Sequence, residues 1–285
     1  MNNFGLFLTG YKGLCFLQRI TYVPSFVVTC DNQEGSDCYE KIINFCTENN
    51  IKCYEHKKFD DVLDSVEMVF VVGWQFLIKQ NLDKFIVFHD SYLPERKGFC
   101  PVVSSLLDES DYVGASCFHP TQELDSGSLL FRRKKKIKYP IKIKDAFDYV
   151  VEMYVEMFYN IINDNSTKPI SIGDDKLSYT VWRDEEDFRI NWEKTSSHIK
   201  QKIYSLGYPY RGSTSLYDGN LIYIQDAEIV PELNICNRED HIGKIWEVED
   251  NNPIIICGQG MLKILKANES NGDDVVFNKI RKRFK

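Results

Sequence analysis

Two short stretches of the chain hold the residue types that move protons. HDSYLPERKGFCP (89–101) sets a histidine, an acid and a hydroxyl side by side, His89, Asp90 and Ser91, with Arg96 and Lys97 close behind. HPTQELDSG (119–127) opens on a second histidine and closes on Asp125, Ser126 and Gly127. An imidazole changes charge near neutral pH and a carboxylate can orient it, so the two delivered to one crevice can serve proton transfer. Residue types alone leave a plainer reading open, because a histidine after a strand is often a hydrogen-bonded structural residue.

Both stretches follow apolar runs, and the elements that position them can be read from that pattern. Short β-branched runs recur at 4–9, 25–30, 68–73, 85–89, 112–118 and 128–131, with helical patterns between them. One helical pattern, 37–49, places Ile42, Ile43 and Cys46 on a face; the other, 145–162, places Phe147, Val150, Val151, Tyr154, Met157, Phe158 and Ile161 at helical spacing. The alternation predicts an α/β sheet. In such a sheet the ligand crevice lies beyond the carboxyl ends of the strands, which directs attention to 89–101 and 119–127. Gly10 and Gly13 do not form G-x-G-x-x-G, so a dinucleotide fingerprint is absent.

The polar stretch 163–173 breaks the pattern and marks a domain boundary, which sets a first domain at 1–165 and a second at 174–270. The second part predicts strands near 176–182, 214–216, 221–224, 243–248, 254–257 and 262–266, with a helix at 195–206. Asp218, Gly219 and Asn220 supply a hairpin turn, and the whole reads as a small β-rich, barrel-like domain followed by a basic tail at 271–285.

Composition narrows the function. A chain of 285 residues that is 43% hydrophobic and 13% aromatic is globular. Its net charge of -7 works against a nucleic-acid partner held through phosphates, and the basic runs 132–138 and 279–285 read as a solvated face and a solvated end. Nine cysteines without a C-x-x-C pair or zinc-like spacing predict reduced structural thiols and no metal. The N-terminus lacks a secretory pattern and no apolar stretch approaches a membrane span, so the expected setting is cytoplasmic with no membrane partner. A homodimer is the base-rate expectation for oligomeric state.

The motifs add a resemblance. HDSYLPERKGFCP resembles the N-x-H-x-S-L-L-P-x-x-R-G-x-x-P signature of the 10-formyltetrahydrofolate-dependent formyltransferases, the methionyl-tRNA formyltransferase-like family. It matches without gaps at His89, Ser91, Leu93, Pro94, Gly98 and Pro101. Residues 114–127 resemble that family's G-V-T-x-x-x-x-x-x-G-L-D-T-G at Gly114, Leu124, Asp125 and Gly127. Residues 179–213 and GQGMLKIL (258–265) are similar to its C-terminal pattern. The resemblance implies a Rossmann-like formyltransferase domain, a smaller C-terminal β-rich domain, and transfer of a formyl group from 10-formyltetrahydrofolate to an amine.

It also implies roles for residues. Attack of an amine on a formyl carbon calls for a donor to the developing oxyanion, given to His89, and an acceptor for the amine proton, given to Asp125. The family's asparagine, two residues before the histidine, is Val87 here. One oxyanion donor is worth about 2.7–4 kcal/mol in acyl transfer. Asp90, Ser91, Gln122 or a backbone N–H are the replacements to consider. The pterin is expected along Gly73, Trp74, Gln75, Phe76, Leu77 and Ile78, with Gln122. Ser91, Tyr92, Arg96 and Lys97 are expected on the acceptor side, the cations suiting phosphates. Among acceptors, the acidic charge disfavours methionyl-tRNA, and the β-rich second domain disfavours glycinamide ribonucleotide. A nucleotide-linked amino sugar, of the kind used for bacterial surface glycans or nonulosonic acids, is expected instead. Trp182, Arg183, Tyr208 and Tyr210 would contact it or pack structurally. A catalytically weakened binding paralogue is the alternative that Val87 raises.

Overall fold

The computed structural model describes residues 3–31, 37–56, 59–78, 81–163, 168–171 and 176–285. They divide into two compact units. The first comprises Met1–Ser105, Asp111–Ile137 and Asp145–Trp182; the second comprises Leu106–Ser110, Lys138–Lys144 and Arg183–Lys285. The sequence boundary at 163–173 falls inside the first unit. Residues 176–182, read as the start of the second domain, stay with the first because they hydrogen-bond to its 94–99 segment.

The first unit is built on β1 (Phe4–Leu8), β2 (Phe26–Thr29), β3 (Lys52–Glu55), β4 (Met68–Val72), β5 (Phe85–His89), β7 (Tyr112–Pro120) and β8 (Gly127–Lys136), with the two-residue strand β6 (Lys97–Gly98) between β5 and β7. The sheet order is β3-β2-β1-β4-β5-β7-β8. It is parallel through β5; β7 and β8 close the edge antiparallel. The inner parallel strands β1, β2, β4 and β5 are largely buried on both faces, which is why they read as unbroken apolar runs rather than alternating ones.

The period of two separates the faces. Phe4, Phe70 and Phe88 pack with Phe16 of α1 (Gly10–Arg19) and with Tyr154 and Phe158 of the long helix α4 (Ile143–Asn163). Phe7, Val69, Val71 and Phe85 face the other way, against Phe59, Trp74 and Ile78. The remaining helices of this part of the chain are α2 (Cys38–Glu48) and α3 (Pro101–Leu107). Strand β8 runs on through the basic stretch to Lys136. Its cations are paired: Arg133 with Glu156 and Lys135 with Glu152 of α4 on one side, and Arg132 over the Tyr92 ring on the other. A charged edge strand of this kind resists further pairing.

After the short strand β9 (Tyr179–Thr180), the second unit carries α5 (Glu185–Phe188) and α6 (Ser196–Ser205). It then forms an antiparallel sheet of β10 (Ser213–Tyr217), β11 (Asn220–Val230), β12 (Ile245–Glu249), β13 (Asn252–Ile256) and β14 (Met261–Glu269). The order is β10-β11-β14-β13-β12, and the Asp218–Gly219 turn joins β10 to β11 as expected. The gap between the outer strands is bridged by the last residues. Leu216 and Lys285 exchange backbone hydrogen bonds, and Ile245 N–H donates to the Lys282 carbonyl. Phe277 and Phe284 sit in the core with Trp192 and Tyr217. The basic end therefore differs from the solvated tail its charge suggested, because Val275, Phe277 and Phe284 anchor it.

Candidate functional site

His89 is the last residue of β5 and shares a sheet face with Phe85 and Val87. It is 8% exposed. Strand β7 runs antiparallel to β5, so its carboxyl end lies beside the start of β5, where His119 Nδ1 is 3.0 Å from the Phe85 carbonyl. The reading of two strand ends opening on one crevice is therefore amended. Asp125 reaches His89 because residues 90–100 and 121–126 fold over the face that carries Phe85, Val87 and His89. Leu93 packs there with Phe118 and Leu129, and Val87 lies against this cluster.

The pair is held from both sides. Asp125 Oδ2 stands 3.7 Å from His89 Nδ1 and accepts a 2.6 Å hydrogen bond from the Gly98 N–H. On the far side of the ring, Nε2 is 3.1 Å from the Arg96 carbonyl oxygen. A carbonyl can only accept, so Nε2 carries the hydrogen and, in the neutral ring, Nδ1 presents its lone pair toward Asp125. Burial pushes the His89 pKa below its ordinary value, while Asp125 and the Arg96 carbonyl act in the opposite sense. The ring is thus neutral at pH 7 yet flanked by two acceptors that would stabilise an added proton.

The supporting turn is fixed from below. Ser116 of β7 accepts from Leu93 N–H at 3.0 Å and donates to the Ser91 carbonyl at 2.7 Å. Gly114 lies under the same turn, where a Cβ would come within 2.3 Å of the Tyr92 nitrogen. Asp90 turns to the opposite face, where Lys12 forms an ion pair with it and the Tyr154 hydroxyl donates to it. Burial raises the Tyr154 pKa well above its usual value, which keeps that phenol a donor.

The other sequence-predicted residues sort as follows. Ser91 is buried and its hydroxyl has no hydrogen-bond partner. Tyr92 lies beneath Arg132, Arg96 contributes its carbonyl to His89, and the Lys97 ammonium is 2.7 Å from Ser126 Oγ, next to Asp125. In the loop after β4, Gly73 adopts a φ of +67°, with Thr9 so close that a Cβ would lie 2.6 Å from its carbonyl oxygen. Trp74 and Ile78 pack on the core face that His89 shares, while Gln75, Phe76 and Leu77 are exposed, Leu77 by 64%. Gln122 is exposed on the 121–126 loop. Trp182, 64% exposed, ends the first unit; Arg183, Tyr208 and Tyr210 belong to the second. The sequence did not single out Gly98 N–H or the Arg96 carbonyl as functional groups, since backbone partners have no residue-type signal. Among the described residues no group of three His, Cys, Asp or Glu side chains could hold a metal ion, and no helix is long and apolar enough to cross a membrane.

Known proteins resemble this chain in sequence and in fold. Residues 183–283 match the family described as formyl transferase, C-terminal domain. The methionyl-tRNA formyltransferase of Natranaerobius thermophilus is 22% identical over 204 residues, 69% of this chain and 64% of that protein. That of Rickettsia canadensis is 24% identical over 214 residues, 73% of this chain and 68% of that protein. The chain thus spans roughly two thirds of the length of these curated relatives. Two solved structures share the fold over nearly their whole length. One is WlaRD, a sugar 3N-formyl transferase solved in the presence of dTDP and 5-N-formyl-THF, with a TM-score of 0.64, 19% identity, and coverage of 95% of this chain and 98% of that one. The other is the N-formyltransferase of Helicobacter canadensis in complex with folinic acid and dTDP-3-aminofucose, with a TM-score of 0.62, 16% identity, and coverage of 93% and 99%.

Proposed function

We propose that this relative of the formyltransferases, which carries their C-terminal domain, is a folate-dependent N-formyltransferase whose acceptor is the amine of a nucleotide-linked amino sugar. The observation that carries the reaction class is the His89–Asp125 pair, 3.7 Å apart and braced by Gly98 N–H and the Arg96 carbonyl. What supports the acceptor class is the likeness along 95% and 93% of this chain to two sugar N-formyltransferases, whereas a solved methionyl-tRNA formyltransferase covers 81% of it. The net charge of -7 argues the same way.

The residues present fit a formyl-folate donor. Exposed Phe76 and Leu77 offer an apolar surface beside Gly73, in a loop that packs on the same sheet face as His89. Ser91 keeps a buried hydroxyl without a hydrogen-bond partner close behind His89 in the chain. When bound, 10-formyltetrahydrofolate supplies an electrophilic formyl carbon; the proton work falls to this chain. An amine that is acylated must lose a proton. His89 Nδ1 takes it while Nε2–H stays on the Arg96 carbonyl, and Asp125 balances the resulting imidazolium. The same proton then passes to the nitrogen that gives up the formyl group, which returns His89 to neutral. This order departs from the expectation that His89 is the donor and Asp125 the first acceptor, because the one N–H of the neutral ring is already engaged. Val87, set in an apolar cluster, offers no donor to the carbonyl oxygen.

The test is an acceptor screen with 10-formyltetrahydrofolate against UDP-, dTDP- and GDP-linked amino sugars and methionyl-tRNA, with product masses read directly. A mass gain of one formyl group on a nucleotide sugar is expected. Formylation of tRNA alone would replace the acceptor, and no product on any of them would support the binding-paralogue reading. His89→Ala and Asp125→Asn should each lower turnover by about 100- to 10,000-fold with the fold intact.

A further inference from the structure

We infer that residues 176–182 form a strap that positions the His89–Asp125 pair, with Ser178 and Thr180 as its positioning residues. The inference rests on that pair being the reaction centre. Strand β9 lies parallel to β6, pairing Tyr179 with Lys97 and Thr180 with Gly98. Along the strap the side chains alternate. Ser178 and Thr180 are half-buried against 96–98, while Leu177, Tyr179 and Val181 are exposed.

The hydrogen bonds are concentrated on the segment that holds the pair. Lys97 N–H donates to the Ser178 carbonyl at 2.9 Å and Phe99 N–H to the Thr180 carbonyl at 3.1 Å. Arg96 N–H donates to Ser178 Oγ at 2.9 Å, and Thr180 Oγ1 donates to the Lys97 carbonyl at 3.3 Å. Ser178 N–H completes the set by donating to the Pro94 carbonyl at 3.4 Å. The two groups that His89 and Asp125 use, the Arg96 carbonyl and the Gly98 N–H, belong to the peptide segment so pinned.

Gly98 makes the approach feasible. Its φ is +100°, and a Cβ there would fall 2.2 Å from the Thr180 carbonyl oxygen, so a side chain would push the strap away. The strap itself touches neither His89 nor Asp125 through any of these bonds. It acts through the backbone that braces them.

The experiment reads the ring directly, as ¹⁵N NMR of His89 in the full chain at a pH where it is neutral, alongside formyl-transfer kinetics. The wild-type ring is expected in the single Nε2–H tautomer that the Arg96 carbonyl selects. Ser178→Ala should give a mixture of tautomers and lower kcat about five- to tenfold, the equivalent of one hydrogen bond, with KM for both substrates unchanged. Ser178→Thr should restore both readouts, and the outward-facing Leu177→Ser should leave both at the wild-type level. An unchanged tautomer and kcat in Ser178→Ala would overturn the inference, as would an equal effect from Leu177→Ser. If the tautomer responds as expected while no variant and no wild-type protein transfers formyl, the positioning role stands and the proposed reaction falls.

Discussion

His89 titrates in an unusual direction for a histidine beside a carboxylate, because burial outweighs Asp125. The consequence for stability has a definite sign. With the folded pKa below 6.5, the unfolded chain binds the proton first as pH falls. The contribution of neutral His89 is therefore complete above the unfolded value and is lost on acidification toward the folded one. His89→Gln should remove that component, so its urea midpoint should decline less steeply than wild type between pH 7 and pH 5; parallel declines would show that the ring is not desolvated as described. At this scale the sequence was informative about side chains and silent about their backbone partners. His89 and Asp125 stood in gapless motifs, and the structure brings them together. Arg96, singled out for its guanidinium, contributes its carbonyl to the ring. A residue type says nothing about where its peptide group points.

Among the elements, the end of β5 is held to α1 and α4 by a buried polar knot: Asp90 with Lys12 and with the Tyr154 hydroxyl. Because the knot adjoins His89 in the chain, its loss should be felt in stability first and in turnover second. Lys12→Met leaves a largely buried carboxylate uncompensated and should cost about 3–5 kcal/mol by denaturant unfolding. Tyr154→Phe removes one hydrogen bond to a charged acceptor and should cost about 1.5–3 kcal/mol. Equal, negligible effects would mean that solvent satisfies Asp90. Gly114→Ala tests the turn from below: the methyl must displace the Tyr92 backbone, so turnover should fall more than stability. In the first unit, the strands most legible in the sequence were those largely buried on both faces. Those with mixed polarity were missed or cut short. Strand β3, at the sheet edge, has an exposed–half-buried pattern with no apolar run, and β8 continues through five basic residues because their partners lie on α4 and on Tyr92. Helix α1 was missed because two glycines, Gly10 and Gly13, disguise it; Gly13 sits there because a Cβ would come within 3.1 Å of Leu8.

At the level of the whole molecule, the two units are interleaved along the chain, since 106–110 and 138–144 belong with 183–285. Gln201 shows what this means physically. It is 4% exposed, and its amide is satisfied by both backbone groups of Ile141, accepting from N–H and donating to the carbonyl, each at 3.1 Å. A fragment of 183–285 alone keeps the strands of the antiparallel sheet but loses those partners. It should unfold at lower denaturant than the same unit within the full chain, by about 1–3 kcal/mol for each buried polar group left unpaired. Sequence periodicity places boundaries where polarity rises, and it did so at 163–173; it has no means of seeing that a short segment between two strands of one unit is folded into the other.

The strap carries a further implication, for the chain as it is made. His89 and Asp125 leave the ribosome well before residues 176–182, so a nascent chain can complete the sheet and bring the pair together while the peptide segment that braces it is still unpinned. The hydrogen bonds that the strap adds to the 96–99 segment can form only once residues 176–182 are made. On the inference above, a chain that ends before residue 176 is therefore expected to hold His89 in a mixture of tautomers and to work more slowly than the full chain.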